Sequence, residues 1–183
     1  MVELLASPEV RSQIARLSVA QYHKLSAMGI LPERTELIEG LVLCKMPKPP
    51  EHTYAVAVLE RFLRLIFPDH CIRKEEPLSL KDSEPEPDLA VAEGSIADFR
   101  GAHPHIARLV VEVSKTTYSL DFDKQFIYAR AGIQEYWLVD LERKQVELYQ
   151  EPEASMYVKK QFLGSGTAIT IGQQSLAVNE LWA

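Results

Sequence analysis

The stretch "LVVEV", Leu109 to Val113, sets the strongest limit on what this chain can fold into. Four aliphatic residues in five is the pattern of a strand buried on both faces. "EYWLVD", from Glu135, reads as a second buried strand. Between the two, a helix is expected from about Leu120 to Ala131, closed by Gly132. Glu112 stands in the middle of the first apolar run. An ionised carboxylate in such a place is costly unless something pairs with it, so the sequence calls for a partner.

The other elements follow from periodicity and punctuation. Ser18 is placed to cap a helix over Val19–Met28, with Gly29 as its stop. "TELIEGLVLCKM" reads as a hairpin turning at Glu39-Gly40. The loop "PKPP" leads into a helix from about Glu51 to Phe67, where Ala55, Val58, Leu59, Phe62, Leu63 and Ile66 share one face. Short strands are expected around Cys71–Glu76, Leu78–Leu80 and Leu89–Ala92, with a short helix in Gly94–Arg100. "QVELYQ" alternates like a half-exposed strand. "MYVKKQFL" and "TAITI" are further strands, and "AVNELW" a last short helix. This order predicts one α/β domain over residues 1–183, with a central sheet and no internal linker or repeat.

Composition narrows the functional classes. With 46% hydrophobic and 25% charged residues among 183, the chain has the balance of a soluble globular protein. Its apolar runs are too short to cross a bilayer, so no membrane partner is expected. The N-terminal "MVELLASPEVRSQIARLS" lacks the basic and then apolar pattern of a secretory leader. Cys44 and Cys71 lie far apart and form no CxxC, which implies neither zinc nor a disulfide framework and fits a cytoplasmic protein. A net charge of −6 argues against indiscriminate nucleic-acid binding but leaves a local basic cleft open.

Three charges fall where the pattern does not want them. Glu112 is the first. Asp88 opens the strand "DLAVA" behind Pro85 and Pro87, which stiffen its approach. Lys124 shares a helical stripe with Leu120, Ile127 and Ala131, and takes an apolar position on it. Two carboxylates at strand positions, a backbone carbonyl and a nearby lysine suit Mg²⁺ or Mn²⁺ with waters retained. Such a metal activates a water and polarises a phosphodiester, while a lysine neutralises developing charge. Plainer readings stand beside this one. Asp88 would then cap a turn, and Glu112 and Lys124 would be a buried ion pair, or Lys124 would snorkel to solvent.

"EPDLAV", "LVVEVSKTT" and "DFDKQFIYARAGIQEYWLVD" together resemble a large bacterial family of restriction-endonuclease-like proteins, long classed as a domain of unknown function. The upstream "YHKLSAMGILPERTELIEGLVLCKMPKPPEHTYAVAVLERFL" is similar to the family's N-terminal half. The resemblance covers about Ser18 to Tyr149, with the C-terminal strands and short helix in residues 150–183 beyond it. It implies the PD-(D/E)XK nuclease fold: a central mixed β-sheet flanked by helices. It also implies a Mg²⁺- or Mn²⁺-dependent endonuclease acting on nucleic acid, DNA first. By this resemblance Asp88, Glu112 and Lys124 are catalytic. Asp88, Glu112 and the Val113 carbonyl are the metal ligands, with Glu39 a further acidic candidate. His52 matches the family's histidine, although a lone histidine at a helix start is more often a cap or a surface residue. The superfamily's usual lysine position, two residues after the acid, is Ser114 here, and Lys124 stands for a migrated lysine.

The competing function is a catalytically inactive domain of the same fold that binds a partner or nucleic acid. The two differ in whether Arg73, Lys74, Lys81, Arg100, Arg108 and Lys115 line the cleft. A homodimer is also expected, because the tail carries Met156, Tyr157, Phe162, Leu176, Leu181 and Trp182.

Overall fold

The computed structural model describes residues 7–182. The first six residues, on which the reading of the N-terminal segment partly rests, lie outside the described residues. A short helix α1 (Pro8–Ser12) precedes α2 (Val19–Ala27). Ser18 opens α2 with a reciprocal cap: its backbone N–H donates to the Gln21 side chain at 2.8 Å, and its hydroxyl accepts from the Gln21 N–H at 3.3 Å.

Strands β1 (Thr35–Ile38) and β2 (Leu41–Cys44) form the expected hairpin. Its two turn residues, Glu39 and Gly40, have φ of 48° and 76°. Positive φ at both central residues is the geometry that matches strand twist in a two-residue loop. The hairpin stands apart from the main sheet and is stitched to the segment before Asp88. Leu37 N–H donates to Glu84 O at 3.3 Å, Glu84 N–H to Leu37 O at 2.7 Å, and Gly40 N–H to Asp82 O at 2.9 Å.

The main sheet contains β3 (His70–Lys74), β4 (Leu89–Glu93), β5 (Leu109–Ser114), β6 (Glu135–Asp140), β7 (Gln145–Glu153) and β8 (Met156–Leu163), in that spatial order. Neighbours are antiparallel except β5 and β6, which are parallel. A parallel pair needs a crossover, and α4 (Tyr118–Arg130) supplies it. Helix α3 (Pro50–Ile66) lays Ala55, Leu59, Phe62 and Leu63 on one face of the sheet, against Leu109, Val111, Trp137 and Val139. Helix α4 covers the other face, where Ile127 and Tyr128 join Val110, Tyr136 and Leu138. A last hairpin, β9 (Ala168–Ile171) with β10 (Gln174–Ala177), and a closing 3-10 turn extend the α3 layer through Ile169, Leu176, Val178 and Leu181. With neighbours on both edges and a helix on each face, all six residues of β5 are buried.

The α4 layer is held by a row of tyrosines. The rings of Tyr128, Tyr136, Tyr149 and Tyr157 follow one another at centroid spacings of 5.2, 5.7 and 6.2 Å. Each buried hydroxyl finds an acceptor, as a buried phenol must. Tyr128 donates to Glu112, Tyr136 to Asp121 O, Tyr149 to Glu147 and Tyr157 to Ile133 O.

Several expected elements are corrected. Leu78–Leu80 is not a strand: Leu78 and Leu80 are buried, but their N–H groups bond Pro85 O and Ser83 O within an irregular loop. Strand β3 stops at Lys74, because Glu75 takes a left-handed φ of 54° and Pro77 follows. Val146 to Tyr149 are all buried rather than alternating, since β7 lies between β6 and β8 under α4. Helix α1 and strand β10 had no expectation. In the tail, Tyr157, Leu176 and Leu181 belong to the core and Trp182 packs against it. Only Met156 and Phe162 of the expected contact residues are well exposed, on edge strand β8.

Gly40 is the hairpin's weak point. A Cβ there would stand 2.6 Å from Arg16 Cβ and 2.9 Å from Leu17 O, at a φ of +76°. Gly40→Ala is expected to cost about 1–3 kcal/mol, read as a lower urea midpoint with an unchanged m-value.

Candidate active site

The carboxyl end of β5, the mouth of β4, the hairpin, the start of α3 and the first turns of α4 meet in one cleft. Asp88 and Glu112, 24 residues apart, form a single hydrogen-bonded unit. The Asp88 N–H donates to Glu112 Oε2 at 3.3 Å, and the Val113 N–H donates to Asp88 Oδ2 at 2.8 Å. In an extended strand the N–H and C=O of one residue face the same neighbour, so the Val113 carbonyl is also directed to the Asp88 side. Strand β4 pairs with β5 only as far as Leu89–Val111, which leaves this end of β5 open to the cleft.

Lys124 lies deep in the cleft, 4% exposed. Its ammonium is 3.0 Å from Glu112 Oε1, 2.9 Å from Glu36 Oε1 and 3.7 Å from Asp121 Oδ1. Tyr128, one turn further along α4, donates to the same Glu112 oxygen at 2.9 Å. The second Glu36 oxygen accepts the Glu86 N–H at 3.2 Å, which ties the hairpin to the strand mouth. Asp88 has a cationic side of its own: Lys48 donates to Oδ1 at 2.6 Å, and His52 Nε2 is 3.0 Å from Oδ2.

These neighbours pull the two central acids apart. Burial would raise Asp88, but hydrogen bonding and charge from His52, then Lys48, outweigh it and hold the carboxyl at about 2. Burial pushes Glu112 up to about 8; Lys124 opposes this, while Asp121, Asp88 and Glu36 add to it. Burial and neighbouring carboxylates also raise Asp121, against Lys124 and Thr117. Lys124 loses hydration, yet Glu112, Glu36 and Asp121 keep its pKa above the ordinary lysine range. It therefore stays a cation rather than serving as a proton acceptor.

The geometric expectation that Asp88, Glu112 and Lys124 converge is met, with the Val113 backbone beside them. Glu39 is a correction. It sits on the hairpin turn, outside the cleft, and pairs with Arg130 at 2.9 Å. Three residues earlier in the same hairpin, Glu36 takes the inward position. His52 is buried rather than exposed, and its Nδ1 has no hydrogen-bond partner. Of the six basic residues weighed above, only Lys115 lines the cleft; Lys45 and Lys48 do so instead. Arg73 is buried against Glu76 at 2.6 Å, and Lys74 reaches Glu60 at 3.5 Å. Sequence reasoning missed Glu36, Lys48, Asp121 and Tyr128. For the last two a signal existed, since they stand at i−3 and i+4 from Lys124.

The model of a family named Uma2 and described as "Putative restriction endonuclease" matches residues 19–179. The chain belongs to this family. Among solved structures, one match is described as a "putative nuclease belonging to DUF820" from Anabaena variabilis ATCC 29413. The two share 16% identity over 91% of this chain and 97% of that one, with a TM-score of 0.70, which places them in one fold. No curated protein matches.

In this Uma2 chain the cleft's acidic donors are all carboxylate oxygens, a hard set of the kind Mg²⁺ and Mn²⁺ prefer. The raised Glu112 adds to the fit, because a cation would relieve the burial that keeps it up. As they stand, the oxygens are engaged by Lys48, His52, Lys124 and Tyr128. Among the described residues no three His, Cys, Asp or Glu side chains are gathered as a ready cation cage. Binding a cation here would mean exchanging donors, not filling a preformed cage.

The two shifted acids act on stability in opposite pH windows. For Asp88, the folded state holds its proton less tightly than the unfolded one, so stability is lost as pH falls from 3.8 to about 2. For Glu112, the folded state holds its proton more tightly, so stability is lost as pH rises from 4.5 to about 8. The melting temperature of the native protein is therefore expected to fall across this upper window relative to Glu112→Gln. A difference between the two proteins that stays constant from pH 5 to pH 8, measured by calorimetry without divalent cations, would contradict the raised value.

Proposed function

We propose that this protein is a metal-dependent endonuclease that hydrolyses phosphodiester bonds in DNA, with Asp88, Glu112 and Lys124 as its central residues. The observation that carries the reading is the Asp88–Glu112 unit at the open end of β5, with Lys124 enclosed by Glu112, Glu36 and Asp121. Asp88, Glu112 and the Val113 carbonyl would hold Mg²⁺ or Mn²⁺. When bound, the cation would polarise the phosphodiester and lower the pKa of a coordinated water. Lys124 supplies a fixed positive charge that keeps three carboxylates together and faces negative charge developing on the phosphate. Tyr128 orients Glu112 through its hydroxyl, and His52 orients Asp88 from the α3 side. Lys115, at the cleft rim and paired with exposed Glu51 at 2.9 Å, is free to exchange that partner for a backbone phosphate.

One observation favours the catalytically silent alternative. Five carboxylates and four lysines line the cleft, and Arg73, Lys74, Lys81, Arg100 and Arg108 lie elsewhere, so its potential is not that of a basic groove. The deciding test is incubation with supercoiled and linear DNA, single-stranded DNA and RNA, in Mg²⁺, Mn²⁺ or chelator. Cation-dependent cleavage of DNA is expected, reduced about 100-fold or more in Glu112→Gln and Lys124→Met. Nucleic-acid binding with no cleavage in either metal would select the silent reading.

A homodimer through the β8 edge accompanies this proposal. Met156, Val158 and Phe162 are 57%, 53% and 58% exposed on a strand with one unpaired side. Light scattering at micromolar concentration is expected to give twice the chain mass, and Phe162→Lys a monomer.

A further inference from the structure

Lys48 sits in the loop between β2 and α3, bracketed by Pro47, Pro49 and Pro50, which limit its backbone to a few conformations. Its side chain bridges two carboxylates of different kinds. Nζ is 2.6 Å from Oδ1 of Asp88, whose side chain is 6% exposed, and 3.1 Å from Oε1 of Glu75, whose side chain is 41% exposed. The ammonium therefore has one acceptor inside the cleft and one on its rim. The other Asp88 oxygen is taken by His52 and the Val113 N–H, so Lys48 is the partner of Oδ1.

Glu75 is held for this contact. It has a φ of 54°, a region that non-glycine residues seldom adopt, and its N–H donates to Asp88 O at 3.2 Å. The backbone that fixes Asp88 thus also fixes the rim carboxylate.

An ammonium at hydrogen-bond distance and a divalent cation bound at about 2.1 Å compete for one carboxylate oxygen, because both draw on its lone pairs and their positive charges repel at that range. We propose that Lys48 is the resident counter-ion of the cation site: it holds Asp88 Oδ1 until a divalent cation takes that oxygen, and then withdraws onto Glu75. This rests on the metal-dependent reading above. Both acceptors are already within reach, so the exchange needs side-chain rotation and no movement of the loop. Asp88 is neutralised before the cation arrives, and Lys48 keeps a partner afterwards. Because the two cations compete, the coupling is reciprocal: whatever weakens Lys48 on Asp88 strengthens the metal there.

The test is a Mn²⁺ titration by calorimetry on the full chain, at fixed pH and low salt. It compares native protein, Lys48→Met, Glu75→Gln, the double variant, and Lys115→Met, which removes a charge from the same cleft without touching Asp88. Lys48→Met is expected to bind Mn²⁺ about tenfold more tightly. Glu75→Gln is expected to bind about threefold more weakly when Lys48 is present, and to have no effect in the Lys48→Met background. Lys115→Met should change affinity less than Lys48→Met. If Lys48→Met fails to fold, Lys48→Gln, which keeps a donor but not the charge, should tighten binding in the same direction. Unchanged or weaker binding without the Lys48 charge overturns the proposal alone. So does a Glu75→Gln effect that persists without Lys48, or a Lys115→Met effect as large as that of Lys48→Met. Absence of Mn²⁺ binding in every protein overturns the cation reading and this proposal with it.

Discussion

One buried ammonium holds the cleft together. Lys124 comes from α4, and its three carboxylates come from β1, β5 and α4 itself. Without that charge, the carboxyl groups of Glu36, Glu112 and Asp121 would be buried together with no cation among them. Removing one partner of a buried ion pair costs about 3–5 kcal/mol, because the remaining charge is stranded. The same contact sets the rotation of α4 on the sheet, since the stripe that carries Lys124 also carries Ile127 and, beside it, Tyr128. Local chemistry and helix packing therefore share one constraint.

A second buried acid shows what is particular about the first. Glu112 stands opposite Leu138, and Leu138 opposite Glu147, in one row across β5, β6 and β7. Glu147 is as buried as Glu112, but its oxygens are met by the hydroxyls of Tyr118 and Tyr149. Neutral donors satisfy a carboxylate without bringing charge, and Glu147 lies away from the cleft. Glu112 instead sits among charges of both signs, where a change of partner changes the electrostatic balance of the whole group.

The sequence made the scaffold and half of the cleft legible, for a definite reason. The runs around Val111 and Leu138 are long and uniformly apolar, so a single charge within them, or a lysine on an apolar helical stripe, stands out. Strands of four residues give no such background. In β1, Thr35, Glu36 and Leu37 are all buried, because Tyr22, the segment near Glu84 and α4 enclose the hairpin from several sides. Alternation cannot then distinguish Glu36 from Glu39. Lys48 had no signal at all: it belongs to a loop, and its role depends on where three prolines aim it. Leu78–Leu80 misled in the opposite way, with strand-like residues whose backbone partners lie within the loop.

The distances along the chain have a kinetic side. Strands β6, β7 and β8 and the β1–β2 hairpin close through short loops, and such contacts form early. The cleft joins Lys124 to Glu36 across 88 residues, Asp88 to Lys48 across 40, and Asp88 to Val113 across 25. It also requires the parallel β5–β6 pair, which only a crossover connection as long as the α4 segment can join. Its contacts thus carry a larger loop-closure cost than the local hairpins do. A partly folded molecule can hold most of its sheet and still present four separated, hydrated carboxylates. Whatever the assembled site does, a nascent or damaged chain is unable to do it.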